Sequence, residues 1–258
     1  MKVSGKVIEY ERYNSKSEEK LNDPHINFGS SGSKAFPVYL QSPYIFFEEY
    51  AARVIRSEMK VLDLCCGDGV HTVSLAKSNA NVTAIDIAEN SIKIAKLRAL
   101  HERLNNIEFL VADVEKLNFG EQKFDIIILV GSLSYLDLTS LISQIKKYLK
   151  PEGKFICVDS LDHNLIYRTN RLIHYLCSRR SWSTLVRMPN MRTIKYFKRE
   201  FHDVKIKYFG IFCFLGPVLT RIFNETKAKN IIDYLDIKFA LLKKYSFKFV
   251  LIASNNQL

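Results

Sequence analysis

The sequence predicts an α/β protein in which helices wrap an open parallel sheet. Two observations carry that prediction. From residue 59 onward, short β-branched runs alternate with helical patterns, and a glycine turn at 67–69 directly follows the first run. The helical patterns lie near 69–78, 89–104 and 138–149. The predicted strands, in chain order, are 60–65, 82–87, 107–112, 124–130 and 154–159.

The segments on either side of this alternation have a different character. A Gly/Ser-rich stretch at 28–34 and an aromatic helical pattern at 44–55 predict an N-terminal cap. After the fifth strand a non-sheet segment runs to about residue 201, and two further apolar runs follow it. We therefore expect one domain, 1–258, divided into a cap (1–58), a cofactor-binding core (59–160), a basic lid (161–201) and C-terminal strands with an insertion (202–258).

The charge of the chain is concentrated in one region. The sequence has 38 Lys and Arg against 27 Asp and Glu, a net charge of +11. Residues 161–210 alone hold eleven basic and three acidic side chains, which is most of the excess. Such a region predicts an anionic partner, whether a phosphorylated small molecule, nucleic acid or a membrane surface. A solvated basic face is the alternative.

The cysteines and the apolar runs bear on the compartment. The five cysteines are odd in number and lack metal-ligand spacing, and the polar first twenty residues contain no export signal. The longest apolar run, 208–219, is shorter than the roughly 20 residues that a membrane-spanning helix needs. We therefore expect a cytoplasmic protein with free thiols, without a bound metal and without an integral membrane segment.

The stretch VLDLCCGDGV, residues 61–70, places two glycines directly after the first strand. Glycines at that point let the backbone approach a ligand and begin a helix whose N-terminus favours polar or anionic groups. A dinucleotide turn needs a third glycine, where this chain has Thr72, and Asp63 and Asp68 would repel a pyrophosphate. The turn therefore disfavours a dinucleotide cofactor.

The same stretch resembles motif I of the class I S-adenosylmethionine-dependent methyltransferases, a D-x-x-x-G-x-G pattern. Three further stretches, AIDI, VADV and LKPEGKFICVD, resemble the family's second, third and fifth strand ends, so that the resemblance covers residues 59–159. It implies a Rossmann-like seven-stranded, mostly parallel sheet in the order 3-2-1-4-5-7-6, with a helical N-terminal cap and a helical lid after strand five. It also implies S-adenosyl-L-methionine as cofactor and S-adenosyl-L-homocysteine as product.

The resemblance implies a set of cofactor-binding residues. In the family, the acidic residue at the position of Asp86 takes both ribose hydroxyls, and the pair at Asp113 and Val114 contacts the adenine. Acidic residues suit a cofactor that carries a sulfonium and an ammonium but no phosphate. The adjacent Cys65 and Cys66 point to opposite faces of a strand and do not chelate one ion. The cofactor-binding residues expected are Asp63, Cys65, Gly67, Asp68, Gly69, Asp86, Ile87, Asp113, Val114, Val130 and Gly131.

The segment after strand four is LVGSLSYLDL, residues 129–138. Methylases of nucleobase or amide nitrogen commonly place an Asn- or Asp-Pro-Pro-aromatic sequence here, and its absence disfavours those substrates. Tyr135 is a candidate catalytic residue whose side chain could enter the pocket, and simple packing is its alternative role. Ser132 is a candidate hydrogen-bond donor to the cofactor.

The segment after strand five predicts an amphipathic helix that begins near Asn164. We expect its apolar face, which includes Leu172 and Ile173, to pack on the sheet and its other face to meet the acceptor. The planar fork of Arg suits a carboxylate or phosphate. His163, just before the helix, is the candidate general base. The expected acceptor-binding residues are Asn164, Tyr167, Arg168, Arg171, His174 and, in the cap, Tyr39.

The identity of the acceptor is the least determined part of the prediction. The segments GSLSY, SLDHNLIYRTNRLIHYL and RMPNMRTI show a weaker resemblance to small-molecule methyltransferases of bacterial surface-polysaccharide gene clusters. They favour a small anionic acceptor such as a sugar nucleotide or another phosphorylated precursor. An RNA methyltransferase is the alternative that the basic region suggests, although no RNA-binding module is visible. A non-catalytic S-adenosylmethionine-binding module is the third possibility.

Overall fold

The seven strands of the protein form one sheet in the computed structural model, which describes residues 5–23, 26, 28–177 and 181–255. The strands are β1 (Lys60–Leu64), β2 (Asn81–Asp86), β3 (Ile107–Val111), β4 (Phe124–Val130), β5 (Leu149–Ser160), β6 (Asp203–Phe209) and β7 (Lys248–Ser254). Their order is β3-β2-β1-β4-β5-β7-β6, which confirms the predicted topology. Neighbouring strands are parallel except that β7 runs antiparallel to both β5 and β6.

Helices cover both faces of this sheet. They are α1 (Gly5–Leu21), α2 (Ser42–Val54), α3 (Thr72–Ala76), α4 (Glu89–His101), α5 (Leu138–Tyr148), α6 (Leu165–Leu176), α7 (Trp182–Val186), α8 (Met191–Glu200), α9 (Gly216–Ile222) and α10 (Glu225–Lys238). The helix predicted at 69–78 is shorter than expected because Gly69 has a positive φ of 76° and the chain becomes helical only at Thr72. No helix in the described part of the chain is both long and apolar enough to cross a bilayer.

Two apolar clusters, one on each face, hold the helices to the sheet. On one face, fully buried Phe155 of β5 lies 5.8 Å from the ring of Phe197 in α8, and α5 adds Tyr148. On the other face, Phe47 of α2 and Ala76 of α3 pack against the central strands. Burying one such large side chain contributes roughly 1.5–3 kcal/mol. Together these clusters fix the positions of the strand ends.

The carboxyl ends of the parallel strands lie along one edge of the sheet. Asp86 ends β2 and Ser160 ends β5. Because β7 is antiparallel, its first residue Lys248 lies at this same edge, paired with Ser160. Ligands of open α/β sheets bind outside this edge, so the fold brings residues far apart in sequence to one place.

The cap contains one helix that the sequence analysis did not predict. The aromatic pattern at 44–55 forms α2, as expected, but residues 5–21 form the additional helix α1. This helix lies against α4, where Ser17 and Ser91 share a hydrogen bond of 2.9 Å between their hydroxyls and Asn14 accepts a bond of 3.0 Å from the Asn90 backbone. The described residues of the cap therefore form two α-helices and two short 3-10 helices, and α1 reaches the edge where the parallel strands end.

The helix after strand five has the opposite orientation to the one predicted. Its start is as expected, since the Asn164 side chain accepts a hydrogen bond of 3.0 Å from the Ile166 backbone and caps α6. Its apolar side chains, however, face solvent: Leu165 is 74% exposed and Ile173 is 52% exposed. The buried member of the helix is Arg171, at 5%. The expectation that the leucine face packs on the sheet is wrong.

Candidate active site

A cavity of about 640 Å³ opens along the carboxyl edge of the sheet. The residues after β1 to β5 form its floor, α1 and the segment 35–44 contribute side walls, and Phe247 and Lys248 close the far end. Ten of the residues predicted from the sequence line it: Cys65, Gly67, Asp68, Asp86, Ile87, Asp113, Val114, Val130, Gly131 and Tyr135.

The glycine turn gives the cavity an open stretch of backbone. Cys65 and Gly67 both have a φ of +55°, a left-handed conformation that turns the chain sharply at the end of β1. A Cβ added to Gly67 would meet no atom within 4 Å, so the space beside this backbone is free for a ligand. Burial raises the pKa of the Cys65 and Cys66 thiols well above the ordinary value, so that both stay protonated at neutral pH.

Asp86 links the first two strand ends. Its carboxylate accepts one hydrogen bond of 2.9 Å from the Gly67 backbone N–H and another of 2.9 Å from that of Ala88. Burial raises the pKa of Asp86, against the lowering effect of these two bonds. A carboxylate accepts about four hydrogen bonds, so Asp86 keeps capacity for two donors from a ligand. This is the arrangement that a vicinal diol would satisfy.

The other two acidic residues of the floor are paired with lysines of α1. Lys6 Nζ lies 2.6 Å from one carboxylate oxygen of Asp113 and 2.7 Å from the other. Lys20 Nζ lies 2.7 Å from Asp68. These two ion pairs lie at opposite ends of α1, so the helix spans the half of the cavity that β1 to β3 form.

The middle of α1 is held by polar contacts as well. The hydroxyls of Tyr13 and Tyr135 lie 2.8 Å apart, and both rings line the cavity. Glu9 accepts hydrogen bonds from the Ser181 backbone at 3.0 Å and from the Thr184 hydroxyl at 2.6 Å. Burial favours the neutral form of Glu9, but these bonds hold its pKa below the ordinary value. The contribution of α1 was not predicted from the sequence because the side chains through which this helix contacts the cavity are polar.

Two predicted cofactor residues, Asp63 and Gly69, do not line the cavity. Asp63 is buried beneath the glycine turn, where it accepts a hydrogen bond of 2.7 Å from the Thr72 hydroxyl at the start of α3. Burial raises the pKa of Asp63 to about 7. Gly69 packs on α4, because an added Cβ would lie 3.0 Å from that of Ala95. Both residues shape the turn from behind.

The predicted general base, His163, is also outside the cavity. Its Nε2 accepts a hydrogen bond of 3.0 Å from the Met191 backbone N–H at the start of α8. That bond occupies the nitrogen that would otherwise accept a proton. Asn164 is committed in the same way, since it caps α6 and donates to the Tyr245 carbonyl at 2.9 Å.

The predicted arginine pair contacts protein groups. Arg171 donates to the Leu161 carbonyl at 2.9 Å and lies 3.5 Å from Asp162. Arg168, whose side chain is 66% exposed, lies 3.9 Å from the same carboxylate. Arg171 is therefore held by protein groups, Arg168 is largely exposed to solvent, and neither lines the cavity. The expectation that the two arginines line the acceptor pocket is wrong.

The remaining acceptor predictions are likewise placed elsewhere. Tyr167 donates to the Gly210 carbonyl at 3.1 Å, and its ring lies 4.5 Å from that of Phe247. The ring of Tyr39 packs over Gly216 at the start of α9. His174 lies on α6, half-buried and outside the cavity. The structure brings none of these three side chains to the cavity.

An aromatic wall takes their place. The rings of Phe36 and Tyr44 stack with centroids 3.8 Å apart, and His71 stacks on Tyr44 at 5.4 Å. Burial lowers the pKa of His71 to about 4, so the imidazole is neutral at pH 7. Lys248 and Ser160 lie at the end of this wall. The strand pairing of β5 with β7 brings them together, and no local sequence signal marked them.

Comparison with known proteins relates this chain to methyltransferases. A family model described as a methyltransferase domain matches residues 55–204, more than half of the chain. A demethylmenaquinone methyltransferase from Lactococcus lactis is 33% identical over 106 residues, 40% of this chain and 42% of that protein. A ubiquinone biosynthesis O-methyltransferase from Coxiella burnetii is 31% identical over 136 residues, 52% of this chain and 57% of that protein. The chain thus spans about half the length of the curated relatives it matches.

A solved structure covers more of the chain. Magnesium protoporphyrin IX methyltransferase from Synechocystis PCC 6803, crystallised with bound SAH, matches 98% of this chain and 100% of its own, with a TM-score of 0.58 and 15% identity. The strand order is that of the class I S-adenosylmethionine-dependent methyltransferases, whose cofactor is S-adenosylmethionine and whose product from it is S-adenosylhomocysteine. The chain belongs to the methyltransferase domain family.

Proposed function

We propose that this chain transfers a methyl group from S-adenosylmethionine to a small, anionic acceptor. The observation that carries the proposal is the pairing of open backbone at Gly67 with the Asp86 carboxylate at one end of the cavity. Its volume of about 640 Å³ lies within the roughly 300–1,000 Å³ typical of small-ligand sites. Cofactor and acceptor would share it.

The residues present fit the cofactor chemically. Asp86 offers acceptor capacity for two ribose hydroxyls, and Gly67 lets the ligand approach the main chain. Asp113 and Val114 would contact the adenine, with Ile87 and Val130 as apolar neighbours. Bound S-adenosylmethionine supplies a methyl group on a positively charged sulfur, and the acidic residues of the cavity favour that charge.

The protein's own contribution is alignment and exclusion of water. Helix α1 closes over the β1–β3 half of the cavity through its Lys6 and Lys20 ion pairs. Tyr135 and Tyr13, with paired hydroxyls, would orient the acceptor beside the end of β4. His71 is a weak base because its pKa is about 4. An acceptor that is already ionised would not require a stronger one.

The acceptor class is the finer part of the proposal. Two of the relatives are named a demethylmenaquinone methyltransferase and a ubiquinone biosynthesis O-methyltransferase, and a small molecule fits the cavity size. Its anionic character rested first on Arg168 and Arg171, which contact Asp162 instead. Lys248 at the far end of the cavity is now the residue that supports it. A sugar nucleotide or phosphorylated polysaccharide precursor stays a prediction of the sequence.

A matched pair of glycine variants tests the cofactor assignment. Gly67 and Gly120 have φ values of +55° and +56°, and neither has an atom within 4 Å of an added Cβ, but only Gly67 lines the cavity. Gly67→Val should abolish S-adenosylhomocysteine binding in titration calorimetry, and Gly120→Val should leave it unchanged. Equal binding by both variants would refute the site. Methyl release from labelled cofactor, with sugar nucleotides, phosphorylated metabolites, phenols and RNA as acceptors, then tests catalysis.

A further inference from the structure

Lys248 is a buried cation at the acceptor end of the cavity. The residue is 8% exposed, and its ammonium lies 5.3 Å from the ring centroids of both Tyr44 and Phe247. Its one hydrogen-bond partner among the described residues is the Ser160 hydroxyl, at 3.3 Å. Both Lys248 and Ser160 line the cavity.

The buried negative charge near Lys248 interacts with it only from beyond ion-pair distance. Asp159 is the adjacent buried carboxylate, and it accepts hydrogen bonds from the Leu133 backbone at 2.8 Å and from the Ser160 backbone at 2.6 Å. Within the described residues, no carboxylate oxygen lies within 4.0 Å of the Lys248 ammonium. The cation is therefore balanced at short range by one hydroxyl and two ring faces.

That balance is incomplete. Two cation–π contacts stabilise an ammonium by less than its removal from water costs, unless an anion pairs with it. A buried lysine that faces a cavity without an ion-pair partner is suited to bind an anionic ligand. The Ser160 hydroxyl adds a second hydrogen-bond donor for an oxygen of that anion.

Strand positions fix where that ligand would lie. Asp86 and Lys248 are on strands four positions apart in the sheet order, which at about 4.8 Å per strand is roughly 19 Å. The end of β4, where Tyr135 follows, lies between them, two strands from Lys248. An anion bound by Lys248 would lie beside the aromatic wall, because the ammonium is 5.3 Å from the Tyr44 ring centroid.

We propose that Lys248, assisted by Ser160, binds a carboxylate or phosphate group of the acceptor. The inference rests on the proposed function because it assigns the other half of the cavity to the cofactor. Lys248 is in this sense a specificity residue: it selects acceptors with an anionic substituent and positions them against the aromatic wall.

The test compares Lys248→Met with Lys244→Met. Lys244 also lies over a ring, 4.8 Å from Tyr245, but it is exposed and outside the cavity. Each full-length protein, saturated with S-adenosylhomocysteine, is titrated with glucose 6-phosphate and benzoate, and with their uncharged counterparts glucose and benzamide. We expect at least one anion to bind wild type and Lys244→Met at least tenfold more tightly than Lys248→Met, with no such difference for the uncharged compounds.

Two results would overturn the assignment. One is equal affinity of Lys248→Met and wild type for the anions. The other is failure of both anions to bind wild type that does bind S-adenosylhomocysteine, which leaves the cofactor site intact. Failure to bind S-adenosylhomocysteine would instead refute the proposed function.

A stability measurement guards against a purely structural role. Because Asp159 interacts with the ammonium only from beyond ion-pair distance, Lys248→Met should lower the melting temperature of the ligand-free protein by no more than a few degrees. A fall of more than a few degrees would show that Lys248 is required by the fold itself and would remove it from the acceptor site. Once an acceptor is known, Lys248→Met should raise its KM with little change in kcat.

Discussion

The Asp86 carboxylate is the proposed acceptor for both ribose hydroxyls of the cofactor. Its replacement by Ala should weaken S-adenosylhomocysteine binding by about 1–3 kcal/mol, because the charge-assisted hydrogen bonds to the ribose are lost. Titration calorimetry measures the change, and Asp203→Ala on the exposed start of β6 serves as control. An unchanged dissociation constant, with the fold intact by circular dichroism, would remove Asp86 from the site.

Asp63 predicts a pH dependence of stability. Its pKa is raised by burial from 3.8 in the unfolded chain to about 7 in the folded protein. The folded state therefore holds a proton that the unfolded state has released, and the stability contributed by this group falls as pH rises from about 4 to 7. At one pKa unit per 1.36 kcal/mol, the loss is on the order of 4 kcal/mol at most.

Asp63→Asn removes that titration while keeping the acceptor for Thr72. The free energy of unfolding of the variant minus that of wild type should therefore increase from pH 4.5 to pH 7.5 and stay constant above pH 8, as measured by urea unfolding. A difference that does not change with pH would show that the carboxyl of Asp63 titrates normally.

Helix α1 is the element that closes the cofactor half of the cavity. Its two ion pairs, from Lys6 and Lys20, are partly exposed, and such pairs contribute about 0.2–1 kcal/mol each. Lys6→Ala combined with Lys20→Ala should therefore speed S-adenosylhomocysteine dissociation roughly three- to tenfold in stopped-flow measurements. Raising the salt concentration should reduce the difference in dissociation rate between wild type and the variant, because salt screens the ion pairs.

The control for this experiment lies on the same helix. Lys16 is exposed and outside the cavity, so S-adenosylhomocysteine should dissociate from Lys16→Ala at the wild-type rate. If S-adenosylhomocysteine also dissociated from the double variant at that rate, α1 would not act as a cover for the site.

The elements differ in how far the sequence predicted them. The strands of the core were predicted because each is an apolar run bounded by turn residues. The acidic residues at the ends of β2 and β3 followed from the resemblance of AIDI and VADV to the methyltransferase family. Helix α1 was not predicted because apolar periodicity does not reveal a helix that is held by ion pairs and hydrogen bonds. The side chains that hold α1 at the edge of the sheet are Lys6, Glu9, Tyr13 and Lys20.

Helix α6 shows a second limit. Its amphipathic pattern correctly predicted a helix beginning at Asn164, but periodicity states only that two faces differ, not which one faces the protein. Contacts with residues outside the helix accompany the observed orientation, since Arg171 donates to the Leu161 carbonyl at 2.9 Å and lies 3.5 Å from Asp162. No pattern within the helix contains that information.

The orientation of α6 is testable with a charge. Leu172 is 43% exposed, so Leu172→Lys should change the free energy of unfolding by no more than about 0.5 kcal/mol. Ile194 in α8 is 2% exposed, and Ile194→Lys should prevent folding or cost several kcal/mol. A comparably severe effect at Leu172 would mean that the leucine face is buried after all.

Across the whole molecule, charge is sorted along the edge of the sheet. At the ends of β1 to β3, Asp68 and Asp113 are paired with lysines of α1 and Asp86 has no ion-pair partner among the described residues, whereas Lys248 lies at the start of β7. A positively charged cofactor on one side and an anionic acceptor on the other would each meet a complementary field. Only the folded sheet creates this arrangement, because the two groups are separated by more than 130 positions in sequence.

A crystal structure of the protein with S-adenosylhomocysteine tests the central claim most directly. We expect the ligand to occupy the cavity at the ends of β1 to β3, with both ribose hydroxyls within hydrogen-bonding distance of the Asp86 carboxylate and the ligand in contact with the Gly67 backbone. Ligand density at another surface, or a cavity without ligand at a concentration that saturates binding in solution, would contradict it.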